Sequence, residues 1–232
     1  MTQLSIFDVA GPVMVGPSSS HTAGACKIGQ FARALFNGTP RKAVFYLHGS
    51  FGEVYKGHAT DRALLGGVMK LRTSDPRIKD AFRVAKTKQL QYKFIKKDLG
   101  EKYHPNTVEV VLENSKRKMS VIGSSVGGGV IEILKIDQFE VHLSGRAGKY
   151  LSILVCHKNH GSNVIDAVKS KIRKRGIRII DAQTTKYKNK NLTILGTDGK
   201  DGKRITLKEI VDIEKSTEGV EFVRSLSKLE KQ

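Results

Sequence analysis

The chain has 232 residues, of which 39% are hydrophobic and 27% charged, proportions typical of a globular protein with one large or two small cores. No apolar run approaches the roughly 18–20 residues that span a bilayer, and the N-terminus lacks a secretion signal, so we expect a cytoplasmic protein without membrane contact. The net charge of +19 is spread over both halves and aromatic residues make up only 6%, which disfavours nucleic-acid binding.

The first part of the chain predicts a mixture of helices and strands. Apolar residues at helical spacing predict a helix over residues 23–36, with Ser20 or Thr22 as its N-cap. Further helices are predicted over 60–71 and 75–86. Strands are predicted over 42–48, 90–96, 107–113, 118–125, 130–136 and 139–143. We therefore expect an α+β fold, with a mostly antiparallel sheet in a first domain of residues 1–146.

A glycine-containing break at residues 145–148 precedes a different pattern. A strand (150–157), a helix (162–175), two strands (177–186 and 191–197), a helix (207–216) and a last strand (220–226) follow in order. This βαββαβ order predicts a ferredoxin-like second domain over residues 148–232.

Cysteine usage limits the metal chemistry of this chain. Cys26 and Cys156 are its two cysteines, they stand in different halves, and both have apolar neighbours. Two thiolates are too few for an iron–sulfur cluster or a structural zinc site. We therefore expect two buried thiols, and we assign no metal ligand to this chain.

A hydroxyl-rich loop precedes the first predicted helix. Ser18, Ser19, Ser20 and Thr22 offer hydroxyl and backbone donors, and His21 titrates near neutral pH. Donors at the positive end of a helix favour a carboxylate or phosphate. From these residues alone, a serine-rich cap with a chance histidine is an equal alternative.

Three other polar clusters stand at predicted element ends. His58 precedes Asp61 at a helix start, and Asn106 follows His104 and Pro105 before a strand. A serine pair precedes the glycine run 127–129, whose backbone can approach a ligand closely. Each cluster alone is more often structural. Together they favour a polar pocket for a small amino or hydroxy acid, with His21 or His58 as acid or base.

The other histidines carry weaker signals. His48 and His142 fall in predicted strands, and His157 and His160 in the first loop of the second domain. We expect packing or surface roles for these four side chains.

The motifs occur in a characteristic order: Gly-Pro-Ser-Ser-Ser-His-Thr-Ala-Gly, Gly-His-Ala-Thr-Asp, His-Pro-Asn-Thr and Ser-Val-Gly-Gly-Gly. With them the chain closely resembles the β subunits of bacterial two-subunit, iron–sulfur-dependent L-serine dehydratases (L-serine ammonia-lyases). The βαββαβ part is similar to an ACT domain. The resemblance covers nearly the whole chain.

The resemblance implies a lyase of amino-acid catabolism and gluconeogenesis that converts L-serine to pyruvate and ammonia. A 4Fe-4S cluster would provide a Lewis acid from a separate α subunit, so this chain would be active only with that partner. His21 and His58 would be catalytic, with either one as the base. The residues implied for substrate binding are Ser18, Ser19, Ser20, Thr22, Asn106, Gly127 and Gly128.

The similarity to ACT domains implies an oligomer formed through these domains. An effector would bind at Asn159, His160 and Gly161, although dimerisation alone is an equal alternative. The first domain also resembles the allosteric substrate-binding domain of some phosphoglycerate dehydrogenases. A non-catalytic serine-sensing module is therefore the second hypothesis, ahead of RNA binding. Pyridoxal-phosphate chemistry has no lysine motif to support it.

Overall fold

The computed structural model describes residues 13–144, 151–158, 163–198 and 205–226. Contacts within the chain divide it into two compact units, one ending at Arg146 and the other beginning at Ala147. Among the described residues, no helix has the length and apolar character that a membrane crossing needs.

The first unit combines a six-stranded sheet with short helices. A π-helical turn (Ser19–Gly24) leads into α1 (Ala25–Phe36), followed by α2 (Gly49–Val54), α3 (Thr60–Val68), a 3-10 turn (Pro76–Asp80) and α4 (Ala81–Thr87). The strands are β1 (Lys42–Leu47), β2 (Gln91–Lys96), β3 (Thr107–Glu113), β4 (Lys118–Gly127), β5 (Val130–Ile136) and β6 (Phe139–Ser144). Their order is β2-β1-β3-β4-β5-β6. The β1–β2 pair is parallel and every other neighbouring pair is antiparallel, which confirms the predicted α+β class.

One face of this sheet forms the core with α1. Burial alternates along β1, where Ala43, Phe45 and Leu47 are buried, as expected for a strand with one covered face. Helix α1 packs on β3, β4 and β5, and α3 packs on α1. The π-helical turn also contacts β4, which places the hydroxyl-rich loop beside that strand.

The second unit has the predicted βαββαβ order. It comprises β7 (Leu151–Lys158), α5 (Asn163–Lys174), β8 (Arg178–Tyr187), β9 (Lys190–Asp198), α6 (Leu207–Ser216) and β10 (Val220–Leu226). The strands form an antiparallel sheet in the order β10-β7-β9-β8, the arrangement of a split βαβ fold. Its core joins residues of both helices to the sheet: Ile153, Val155, Val168, Ile172, Ile177, Leu195, Ile205, Ile210, Ile213 and Val223.

Several local predictions were wrong. The first helical segment begins at Ser19, and its N-cap is Ser18, whose side chain accepts the His21 N–H, so Ser20 and Thr22 are not caps. The sequence pattern also missed α2, because six residues are too few to show a helical period. The helix predicted over 75–86 divides into the 3-10 turn and α4.

His157 lies in strand β7 and not in a loop. Its ring nitrogens are 3.1 Å from the Lys158 carbonyl oxygen and 3.1 Å from the Thr193 hydroxyl. The side chain is buried, so of the two roles expected for it, packing or surface, the structure shows packing. His160 lies outside the described residues.

Candidate active site

The π-helical turn presents His21 at the surface of the first unit. The Ser18 hydroxyl oxygen accepts a hydrogen bond from the His21 N–H at 3.1 Å, and the Ser18 carbonyl accepts one from the Thr22 N–H at 2.8 Å. These bonds satisfy two backbone donors at the helix start. Ser19 and Ser20 are half-buried in the same turn. The four residues from Ser18 to His21 thus form one compact polar segment, as the sequence predicted.

A tight turn before α3 holds His58 beside His21. The two imidazole rings lie 5.1 Å apart between centroids, with their planes tilted by 38°. Ala59, which follows His58, has a left-handed backbone (φ +56°), a conformation that non-glycine residues seldom adopt. Thr22 fastens this turn to the π-helical turn, because its hydroxyl donates a hydrogen bond to the His58 carbonyl oxygen at 3.0 Å.

Thr22 therefore has a structural role that the sequence did not reveal. Its side chain is 1% exposed, and its hydroxyl proton is engaged with the His58 carbonyl. Contact between Thr22 and a substrate carboxylate stays a prediction.

The environment of His21 favours a neutral ring. Burial, followed by the nearby His58, lowers the pKa of His21 below its ordinary value of 6.5. A neutral imidazole has one nitrogen lone pair and is able to accept a proton. His58 itself is exposed, so the pair faces solvent on this chain.

Helix α2 adds two residues to this surface. The Ser50 hydroxyl oxygen lies 3.1 Å from Nε2 of His21, and the ring of Phe51 meets the His21 ring edge-on at 5.3 Å. Neither residue was predicted from the sequence to belong to the site. The available signal was Gly49-Ser50 directly after a predicted strand, a position where ligand-binding loops are common.

A series of contacts places the other two polar clusters close to the two histidines. Gly49 of α2 lies against Pro105, and the Asn106 carbonyl accepts a hydrogen bond from the Ser125 N–H at 2.9 Å. Ser125 in turn touches Gly24 at the end of the π-helical turn, where an added Cβ would lie 2.0 Å from the serine Oγ. The four motifs, separated by up to about a hundred residues, therefore converge.

Two hydroxyls at this convergence have no hydrogen-bond partner among the described residues. The Oγ1 atom of Thr60 and the Oγ atom of Ser125 are both buried. Buried hydroxyl groups are normally paired, and an unpaired one is explained by strain, by a bound water or ion, or by a role in catalysis. Thr60 and Ser125 belong to two of the four polar clusters that were predicted from the sequence to form the site.

Other predicted site residues lie near this convergence or outside the described part. Just beyond Ser125, Gly127 ends β4 and Gly128 lies in the turn to β5, with φ of +111° and +57°. Their contact with substrate stays a prediction. Asn159, His160 and Gly161 lie outside the described residues. Asp61 is buried, which raises its pKa, and it accepts a hydrogen bond from the Arg62 N–H at 2.7 Å.

Comparison with known proteins shows the family of this chain. The family model of the serine dehydratase beta chain matches residues 5–135, which include all four motifs. The chain belongs to this family. A protein named L-serine dehydratase, beta chain, from Peptoniphilus asaccharolyticus is 42% identical over 197 residues, covering 84% of this chain and 86% of that protein.

A second member of the serine dehydratase β-chain family comes from Bacillus subtilis (strain 168). Named a probable L-serine dehydratase, beta chain, it is 44% identical over 159 residues, which cover 68% of this chain and 70% of that protein. The resemblance inferred from the motifs is thus confirmed at the level of the family.

The cysteines of this family member do not fit an iron–sulfur cluster. Cys26 is fully buried and donates to the Leu71 carbonyl, whereas Cys156 lies in the second unit within 3.7 Å of a Glu221 carboxylate oxygen. Both are free thiols, as predicted. In the part of the chain that the structure describes, no three histidine, cysteine or acidic side chains are grouped for a metal ion.

Proposed function

We propose that this chain is the β subunit of an L-serine dehydratase, a lyase that releases pyruvate and ammonia from L-serine. Membership of the serine dehydratase β-chain family supports this activity. The paired rings of His21 and His58 carry the proposal, because removal of a weakly acidic Cα proton needs a positioned base.

The reaction is an elimination. A base takes the Cα proton, the Cα–H electron pair forms the Cα=Cβ bond, and the Cβ hydroxyl leaves. The proton and the hydroxide together make one water, and the aminoacrylate product hydrolyses to pyruvate and ammonia. Burial keeps His21 neutral near pH 7 and therefore able to accept the proton, and His58 orients the substrate or assists.

The π-helical turn would bind the substrate carboxylate. Ser19 and Ser20 are half-buried beside His21, and their backbone and hydroxyl donors are suited to a negative charge. Asn106 and the turn of Gly127 and Gly128, next to Ser125, would close the pocket on the side of β4.

A partner subunit would complete the site. His58 is exposed on this chain, so a second surface must exclude water from the reacting atoms. Neither cysteine here is placed to hold a cluster, and a 4Fe-4S cluster would therefore be bound by an α subunit. The βαββαβ unit would be an ACT domain that links copies of this cytoplasmic subunit.

The test is activity of the complex. The chain is co-produced anaerobically with a cysteine-bearing α subunit, and pyruvate release from L-serine is measured. We expect kcat to fall at least about 100-fold in His21→Gln and in His58→Gln. His142→Gln, which removes an exposed histidine from β6, is the matched control and should keep full activity. An inactive complex with a competent α subunit would exclude the proposal.

Calorimetry separates this proposal from the serine-sensing alternative. L-Serine binding by the chain, together with an inactive complex, would support a sensor. Loss of binding in Ser19→Ala and Ser20→Ala would then place the ligand at the π-helical turn. Turnover that depends on His21 and His58 would exclude a purely regulatory role.

A further inference from the structure

Ser50 contacts a proposed catalytic ring without belonging to any of the four motifs. It is a half-buried residue in the first turn of α2, and its Oγ atom lies 3.1 Å from Nε2 of His21. Among the hydrogen bonds of the described residues, this is the contact that the Ser50 side chain makes. The pair therefore needs a reason beyond local helix capping.

The His21 side of this contact is fixed at three points. Ser18 accepts the backbone N–H of His21, Phe51 packs edge-on against the ring, and Ser50 lies at Nε2. A ring with both its backbone and one nitrogen fixed has few orientations. Nε2 is occupied, and Nδ1 is the other nitrogen that can exchange a proton.

The Ser50 side is fixed by the loop before β3. Gly49 has φ +50°, and an added Cβ would lie 2.8 Å from the Pro105 carbonyl oxygen and 2.9 Å from its Cα. The same carbonyl accepts a hydrogen bond from the Phe51 N–H at 3.3 Å. Because these are backbone contacts, the start of α2 is held in place and Ser50 with it.

We propose that Ser50 is a positioning residue: its hydroxyl oxygen accepts the Nε2–H of His21 and leaves the Nδ1 lone pair to take the Cα proton of the substrate. This inference rests on the proposed dehydratase function and assigns the role of the base to one atom of one histidine. The reverse arrangement, in which Ser50 donates to Nε2, would put the ring proton on Nδ1. His21 would then be unable to act as a base at that atom.

The tautomer is measured by nitrogen NMR on the full chain labelled with ¹⁵N-histidine, at a pH above 6.5 where His21 is neutral. His21→Gln identifies the His21 signals. We expect the Nε2–H tautomer in the unsubstituted chain and a mixture of tautomers in Ser50→Ala. Ser115→Ala, which alters an exposed serine between β3 and β4, is the matched control and should leave the signals unchanged. An Nδ1–H tautomer in the unsubstituted chain, or His21 signals that are the same in Ser50→Ala, would overturn the assignment.

Kinetics of the complex provide a second readout. Partners that orient a metal-bound histidine are worth about 10–100-fold in activity, and we expect kcat to fall by a similar factor in Ser50→Ala. KM should stay within about threefold, since substrate binding is not altered. Ser50→Thr keeps the hydroxyl and should recover part of the loss. Unchanged kcat in Ser50→Ala would refute a positioning role.

Two controls distinguish a variant that does not fold from a failure of the proposed function. Alanine is not disfavoured in a helix, so Ser50→Ala should unfold at the same temperature as the unsubstituted chain. If it does not fold, Ser50→Cys, which nearly conserves the side-chain volume, takes its place in both measurements. If the unsubstituted complex releases no pyruvate, the proposed function fails, whereas the NMR result still decides the Ser50–His21 bond.

Discussion

The imidazole rings of His21 and His58 lie 5.1 Å apart, although 36 residues separate them along the chain. The Thr22 hydroxyl, bonded to the His58 carbonyl at 3.0 Å, fastens the two segments together. At this separation the His58 ring lowers the pKa of His21, because a positive charge on His58 disfavours a second positive charge on His21.

We predict that His58→Gln raises the pKa of His21 while leaving it below 6.5. The substitution removes the charge of the neighbouring ring, but burial, the larger cause of the lowered pKa, remains. A pH titration of the His21 ring signals by NMR measures the change. His142→Gln, on β6, should not shift the titration. An unchanged or lower pKa in His58→Gln would contradict the electrostatic coupling.

Thr22→Val should loosen the histidine pair. The valine has a similar shape but lacks the hydroxyl that donates to the His58 carbonyl. We expect the free energy of unfolding to fall by about 1 kcal/mol, and the His58 signals to shift in NMR spectra. Thr22→Ser keeps the donor and should retain the His58 signals. Equal spectra for the two variants would show that the bond does not hold the turn.

Gly67→Ala should destabilise the first unit although alanine favours helices. An added Cβ would lie 2.1 Å from the Cys26 carbonyl oxygen and 2.8 Å from the Gln30 N, so α1 and α3 would have to separate. We expect a loss of about 2 kcal/mol or more in chemical unfolding, as for an overpacked core.

The neighbouring Gly66→Ala is the matched control for that substitution. Its Cβ would lie 3.2 Å from Cγ1 of Ile78, an atom of a side chain and not of the backbone. We expect a change within about 1 kcal/mol, because a small adjustment of Ile78 balances the gain in helix propensity. Equal effects of the two substitutions would refute the close helix contact.

Glu209→Gln should weaken the second unit only where Glu209 is charged. Thr206 and Glu209 form a capping box at the start of α6, and the hydrogen bond from the Thr206 N–H is the largest cause that lowers the Glu209 pKa from 4.5. A carboxyl with a lowered pKa stabilises the fold above its unfolded pKa, and this contribution is lost as the pH falls through the folded value. We expect a loss of about 0.5 kcal/mol at pH 7 and none at an acidic pH below the folded pKa of Glu209.

Thr206→Ala gives the comparison at both pH values. The bond from the Glu209 N–H to the Thr206 hydroxyl oxygen does not titrate, whereas the bond that this hydroxyl donates to the Glu209 carboxylate does. The loss in Thr206→Ala should therefore be about 1 kcal/mol at neutral pH and should persist in part at acidic pH. Thermal unfolding of both variants provides the measurement. A pH-independent effect of Glu209→Gln would contradict the charge-based explanation.

The second unit was predictable from the sequence because its signals are local. The sequence pattern placed α6 over the observed residues 207–216, and the last strand was also placed at its observed ends, 220–226. The ends of β3 and β5 were equally well predicted. In each case a run of apolar residues with a clear period determines the element without help from distant contacts.

The parts of the site that were not predicted from the sequence depend on contacts between distant residues. Helix α2 is six residues long, and its start is held by Gly49 against Pro105, which lies far along the chain. A helix of this length has no apolar periodicity from which it could be predicted. The π-helical turn likewise begins at Ser19 because Ser18 caps it, a choice between adjacent serines that composition does not make.

The sequence by itself determined which residue types the chain offers for chemistry: a run of hydroxyls, two histidines at turns, and two cysteines unsuited to a cluster. Those properties belong to single residues and short motifs. Only the tertiary structure decided that His21 faces His58 and that Ser50 meets Nε2 of His21. The physical reason is that hydrogen bonds and close backbone packing between distant segments set the relative position of rings to within about an ångström, and neither is encoded by local periodicity.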